Sequence, residues 1–207
     1  MNQSVTKTVL NVGGNSKQIA LPAHFKGFEH VLLDIDAARG PDLIWDAREL
    51  LGLASQQYDA IYCSHSLEHF YRHDIQKVLK GFVHLLKPGG FVQIRVPDLY
   101  QIFKAVIEDK VGLDEVLYEA PAGSITPLDT IYGFGEIIQN SGNDYFAHKT
   151  GFTDATLRRA LSSAGFQHVF MSQGFYEINC FATVRDVQDW VARLLDLQTT
   201  FGFDTLA

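Results

Sequence analysis

A strand, an amphipathic helix and a second strand follow in close succession, and that unit constrains this chain more than any other. Tyr58 to Ser64 is a run of apolar and β-prone residues. After Asp74, the residues Ile75, Val78, Leu79, Phe82, Val83 and Leu86 recur at three- and four-residue steps, which gives one apolar helical stripe. Asp74 is placed to cap its start, and Lys87-Pro88-Gly89-Gly90 ends it. Phe91 to Val96 then reads as a strand closed by Pro97. Two parallel strands need such a crossover, and the crossover is right-handed.

The rest of the chain extends this pattern. Strands are expected at Thr8–Val12, His30–Ile35 and Leu43–Asp46. Their apolar residues alternate little, as in strands buried on both faces of a parallel sheet. The first crossover is short and holds Pro22, so its helix must be reduced. Leu157, Ala160, Leu161 and Ala164 form a further helical stripe closed by Gly165. Two strands, at 167–172 and 176–184, turn tightly around Gly174 and predict an antiparallel hairpin. Val187, Trp190, Val191, Leu194 and Leu195 give a last helix, with Asp186 expected to cap it. Between Asp98 and Thr150 the pattern loosens, with helical pieces near Leu99–Glu108 and Leu128–Gln139. A segment placed after the fifth strand is expected to cover a ligand, and Tyr132, Phe134, Tyr145 and Phe146 offer it aromatic surface.

Size and charge narrow the function. The 207 residues suit one domain, 1–207, with 98–150 as an insert within it. Lys and Arg total 17 against 24 acidic residues, a formal charge of -7 that disfavours a nucleic-acid partner. Cys63 and Cys180 are far apart in no metal-like spacing, as expected of buried thiols in a reducing compartment. Met1 to Leu10 lacks the layout of a signal peptide, and no apolar run reaches the ~18 residues of a membrane span. The expected location is the cytoplasm.

Several residues carry chemistry. Gly13 and Gly14 follow the first strand, where glycines let backbone N–H groups approach a ligand closely. Asp34 lies near the end of the second strand, where a carboxylate can accept both hydroxyls of a ribose, with Asp36 as the reserve. Asp46-Ala47 ends the third, positioned either to meet an adenine amine or to cap a following turn.

These segments, in the order Leu10-Asn11-Val12-Gly13-Gly14, Val31-Leu32-Leu33-Asp34-Ile35, Asp42-Leu43-Ile44-Trp45-Asp46-Ala47, Tyr58 to His69 and Leu86-Lys87-Pro88-Gly89-Gly90-Phe91, resemble the class I S-adenosylmethionine-dependent methyltransferases of the small "type 11" kind. The resemblance is strong from Val9 to Pro97 and fainter through Gly151-Phe152-Thr153 and Ala164-Gly165-Phe166. It implies an α/β, Rossmann-like seven-stranded mixed sheet, its last strand antiparallel, flanked by helices. It implies S-adenosyl-L-methionine as cofactor, with Gly13 and Gly14 under the methionine part and Asp34 on the ribose. Ile35 would pack on the adenine, Asp46 and Ala47 would border its amine, and Ser64 and His65 would lie nearest the sulfonium. The family's first loop reads Gly-x-Gly-x-Gly, whereas Gly13-Gly14 is followed here by Asn15, a residue that tolerates the left-handed backbone. The implied reaction is methyl transfer to a small-molecule acceptor, with His65, then Asp98 or His148, as candidate bases. The alternative is a catalytically inactive cofactor-binding or protein-interaction module.

Two rival motifs share these residues. His65-Ser66-Leu67-Glu68-His69 matches the His-x-x-Glu-His pattern of zinc peptidases, which needs both histidines on one helix. Since His65 is expected at a strand end, no bound zinc is expected. Tyr100 and Lys104 mimic the spacing of a dehydrogenase pair, but no dinucleotide loop of the required form precedes them. Glu136 and His148 are further candidates to face a substrate.

Overall fold

The computed structural model describes residues 6–120 and 123–196. The first residues of the segment read for a leader, Met1 to Val5, and Pro121 of the insert lie outside them. Strands β1 (Thr8–Val12), β2 (Glu29–Asp34), β3 (Leu43–Ile44), β4 (Tyr58–Ser64) and β5 (Leu86–Pro97) are parallel, in the order β3-β2-β1-β4-β5. Helix α1 (Ile75–Leu85) makes the β4–β5 crossover, and α2 (Leu99–Ile107) opens the insert. The insert also holds a small hairpin, β6 (Tyr118–Ala120) with β7 (Gly123–Ile125), and the short helices α3 (Pro127–Tyr132) and α4 (Gly135–Ser141). Helix α5 (Asp154–Ala164) leads into β8 (His168–Gln173) and β9 (Glu177–Thr183), and α6 (Asp189–Leu194) follows. Strand β9 runs antiparallel between β5 and β8, which completes the seven-stranded mixed sheet.

The lack of alternation in the strands has its cause in two apolar layers. One face packs Leu10, Ile61, Val92 and Ile94 against Val78, Leu79 and Phe82 of α1 and Leu157 and Leu161 of α5. The other covers Val9, Ala60 and Phe91 with Phe25, Val191 and Leu195. Phe25 lies in the only helical turn of the first crossover, Ala23–Phe25, directly after Pro22. Its ring stacks on Phe91 at 5.9 Å and meets Tyr62 and Phe28 edge-on, so one aromatic side chain fills the place of a longer helix.

Strand bounds shift, with β3 stopping at Ile44 rather than Asp46 and β5 starting at Leu86 rather than Phe91, and three further local expectations differ. Asp74 makes no side-chain cap on α1; its carboxylate turns to Lys77 Nζ at 2.8 Å, with Arg48 and His73 beyond. Asp186 does not cap α6, whose N-cap is Gln188 without a side-chain bond. The apolar pattern at Leu128–Gln139 is two helices, because Gly133 takes φ +96 between them, where a Cβ would press on the Phe146 carbonyl.

Helix α1 approaches the Ala47–Gly52 turn closely at Gly81, where a Cβ would lie 2.6 Å from Leu50 Cβ and 3.0 Å from its Cδ1. Alanine ordinarily gains about 1 kcal/mol over glycine inside a helix. Overpacking a buried site costs about 1–3 kcal/mol, which is the larger effect. Gly81→Ala is therefore expected to lower stability in urea unfolding, by up to about 2 kcal/mol after the propensity gain. A more stable variant would show that Leu50 yields freely.

Candidate active site

Parallel strands end on one side of the sheet, and the loops leaving β1, β2, β3 and β4 enclose a cleft of about 590 Å³ there. Gly13, Gly14, Asp34, Ile35, Asp46, Ala47, Ser64 and His65 all line it. The sequence places them far apart; the topology collects them.

The first loop turns sharply. Gly13 has φ +69 and donates its N–H to the Leu33 carbonyl at 2.9 Å, and Asn15 takes the left-handed backbone with φ 62. A Cβ on Gly13 would fall on Ser66 Oγ, and one on Gly14 would fall on the Asn11 amide. Asn11 is buried, and its Oδ1 accepts no hydrogen bond from the protein. The loop thus forms a close-fitting cradle above an unpaired acceptor.

Asp34 and Asp36 differ in commitment. One Asp34 oxygen accepts the Asp36 N–H at 2.9 Å, which fixes the side chain at the end of β2. Asp36 spends one oxygen on the Ala38 N–H and the other on Arg39. Beside them Ile19, Ile35 and Trp45 expose apolar surface along the cleft, a slot for a flat ring. Asp46 lines the cleft and also caps the turn after it: it accepts the Arg48 N–H at 2.8 Å and holds the Arg48 guanidinium through both oxygens. That ion pair holds its carboxyl below the usual range, although burial works the other way.

His65 sits at the end of β4 with φ 48, a strained backbone for a non-glycine residue, and donates its N–H to the Arg95 carbonyl. Its ring lies between two carboxylates, Nδ1 3.5 Å from Glu68 and Nε2 3.4 Å from Glu177. Burial pulls the imidazole toward the neutral form, but Glu177 and Glu68 outweigh it and raise the pKa to about 9. Glu177 in turn holds Arg95 through two contacts of 2.7 Å, and Arg95 reaches the Tyr62 hydroxyl. Sequence reading missed this chain of charges. The available signal was Arg95 itself, the one charge inside the strand Phe91–Val96, which requires a partner.

Two candidate bases lie elsewhere. Asp98 is buried, outside the cleft lining, and its oxygens cap α2 by accepting from Tyr100 N–H and Gln101 Nε2. His148 also lies outside the lining and donates its Nδ1–H to the Thr130 carbonyl at 2.8 Å. Glu136 is exposed on α4 and does not reach the cleft. Of the insert, Asp144, Tyr145, Phe146 and Lys149 line the cleft, whereas Tyr132 and Phe134 do not. The rival motifs lack their geometry. His65 ends a strand and only Leu67–His69 form a 3-10 turn, so no helix carries both histidines. Tyr100 is exposed and Lys104 pairs with Glu108, away from the cleft.

Residues 19–92 match a family model described as a methyltransferase domain. No curated protein matches the sequence. Among solved structures, a SAM-dependent methyltransferase from Archaeoglobus fulgidus is similar at 16% identity and TM-score 0.55, covering 86% of each chain. The PH0226 protein from Pyrococcus horikoshii is similar at 14% identity and TM-score 0.54, covering 89% of this chain and 84% of that one. A 1,6-didemethyltoxoflavin-N1-methyltransferase from Burkholderia thailandensis is similar at 16% identity and TM-score 0.50, covering 86% of this chain and 70% of its own. At these identities the likeness establishes the fold. Sheet order, cleft and structural likeness together identify the chain as a protein of the class I methyltransferase fold, with residues 19–92 similar to a methyltransferase domain.

Proposed function

We propose that the cleft binds S-adenosyl-L-methionine and directs its methyl group to a small-molecule acceptor. The observation that carries this reading is the convergence of the glycine cradle, Asp34 and an apolar slot on one cleft at the carboxyl ends of β1 and β2. The residues fit the group. A Cβ would fill the cradle at Gly13 and Gly14, and Asn11 Oδ1 beneath it lacks a donor. The Burkholderia structure contains S-adenosylhomocysteine, which is the demethylated form of the same ligand.

The cofactor supplies an already activated methyl group, so this chain has to align two ligands and exclude water. Asp34 accepts the ribose hydroxyls, while Ile19, Ile35 and Trp45 enclose the adenine. Ala47, next to the committed Asp46, borders the adenine amine through its backbone. Ser64 and His65 stand nearest the methyl donor, and His65 faces the acceptor as a hydrogen-bonding group. The insert covers the cleft with Tyr145 and Phe146. A net charge of -7 favours a small molecule over a nucleic acid. Among the described residues no helix is long and apolar enough to cross a membrane, and the buried free thiols of Cys63 and Cys180 fit a cytoplasmic protein.

Titration calorimetry tests this directly. S-adenosylhomocysteine is expected to bind in the micromolar range, about 8 kcal/mol. Absence of heat at millimolar ligand would overturn the reading. Asp34→Ala should weaken binding by about 1.5–3 kcal/mol, because two hydroxyls lose a charged acceptor. Asp36→Ala should have little effect, since Asp36 is committed to its own turn.

Hydrogen exchange separates a lid from a fixed wall. Residues 128–148 should exchange quickly in the free protein and gain protection with S-adenosylhomocysteine. Protection equal to that of α1 without ligand would make the insert a permanent wall.

A further inference from the structure

At the cleft wall, three side chains that the cofactor reading leaves unused come together. Glu68, His69 and His148 place one ligand atom each within 4.8 Å of one another. Glu68 is 1% exposed, and neither carboxylate oxygen has a hydrogen-bond partner. A buried carboxylate without partners costs several kcal/mol unless a cation compensates it. The His65 imidazole, 3.5 Å from one oxygen, is the nearest charge and stands too far for a hydrogen bond of good length.

The two histidines are oriented from behind. His148 Nδ1 lies 2.8 Å from the Thr130 carbonyl, so the ring donates there and leaves Nε2 as a bare lone pair. His69 has a carbonyl near each nitrogen, Ala147 O at 3.2 Å from Nδ1 and His65 O at 3.1 Å from Nε2. A neutral ring can donate to only one of them, and the other nitrogen then presents a lone pair with no proton to share. Histidine donating one nitrogen to a backbone carbonyl and offering the other is the usual arrangement around a metal. The main chain holds the two segments together as well, because Lys149 and Thr150 donate their N–H groups to the Glu68 carbonyl at 2.9 and 3.2 Å.

We propose that Glu68, His69 and His148 form a binding site for one divalent transition-metal ion. Two imidazoles and one carboxylate are the donor set of zinc, manganese and ferrous ions. Ligands ~2.1 Å from a shared ion stand ~3.4 Å apart in a tetrahedron, so the three side chains must draw in by about an ångström. Three protein ligands leave a coordination place open. His69 belongs to the cleft lining, so an oxygen entering from the cleft can occupy that place. This site differs from the zinc-peptidase pattern in the same stretch: His65 is not a ligand, and the third ligand comes from the far end of the insert.

The test needs neither cofactor nor activity, so its outcome is separate from that of the methyl-transfer reading. Protein stripped with a chelator is titrated with cobalt(II), then with zinc(II), while visible absorption is followed. One equivalent of cobalt should give absorption bands that zinc abolishes. Glu68→Gln, close in shape, and His148→Ala should each weaken binding at least tenfold. His73→Ala, on an exposed ring stacked on Tyr71, should bind as the parent does. Melting curves report whether each variant folds, and Glu68→Gln decides the matter if His148→Ala does not. Cobalt binding absent from the parent protein, or undiminished in Glu68→Gln, would overturn the proposal.

Discussion

Parallel pairing of β1 with both β2 and β4 governs the placement of the glycine loop, Asp34 and His65 in the cleft. Leu10 faces Val31 on one side and Ile61 on the other, and both registers run in the same direction. Three strand ends therefore arrive on one side of the sheet, carrying Gly13, Asp34 and His65. No contact between those residues is needed to bring them together. The backbone ladder does so, and the crossovers only have to return the chain to the opposite edge. Anything that slipped the register of β2 by one residue would turn Asp34 to the other face of the sheet.

The cleft's far wall depends on a balance of charge. Glu68, His65, Glu177 and Arg95 alternate in sign through contacts from 3.5 to 2.7 Å. Burial disfavours every one of these charges, yet each neighbour supports the next: Glu177 is held below the usual carboxylate range and Arg95 above the usual guanidinium range. The strained backbone at His65 is compatible with this arrangement, since it is tied to the Arg95 carbonyl while its ring spans both acids. Such a chain responds as a unit. Removing one member leaves a neighbour buried and unpaired, which costs more than the lost contact alone.

Much of this was legible in the sequence, and the limits have physical reasons. β1 and β4 were bounded correctly because their apolar runs stop at glycine or polar residues. The short first crossover followed from Pro22, and the left-handed Asn15 from the chemistry of asparagine. Caps were less legible. Asp74 and Asp186 occupy the right places before helices, but nearby cations and the local backbone take them elsewhere. The β6–β7 hairpin went unseen because its strands are three residues each, too short to show a period. Glu177 lies 82 residues from Arg95, and pairing across strands that far apart leaves no mark on local pattern.

The reduced first crossover has a consequence for how the protein is made. The sheet face over Val9, Ala60 and Phe91 is closed by Phe25 together with Val191 and Leu195 of the α6 region. Strands synthesised early thus share their cover with residues synthesised much later. On the ribosome, β1, β4 and β5 can pair long before that layer is complete, leaving apolar strand faces in water meanwhile. Assembly of this core waits for α6, so the pace of translation, as well as the stability of the finished fold, sets how long the nascent sheet stays exposed to aggregation.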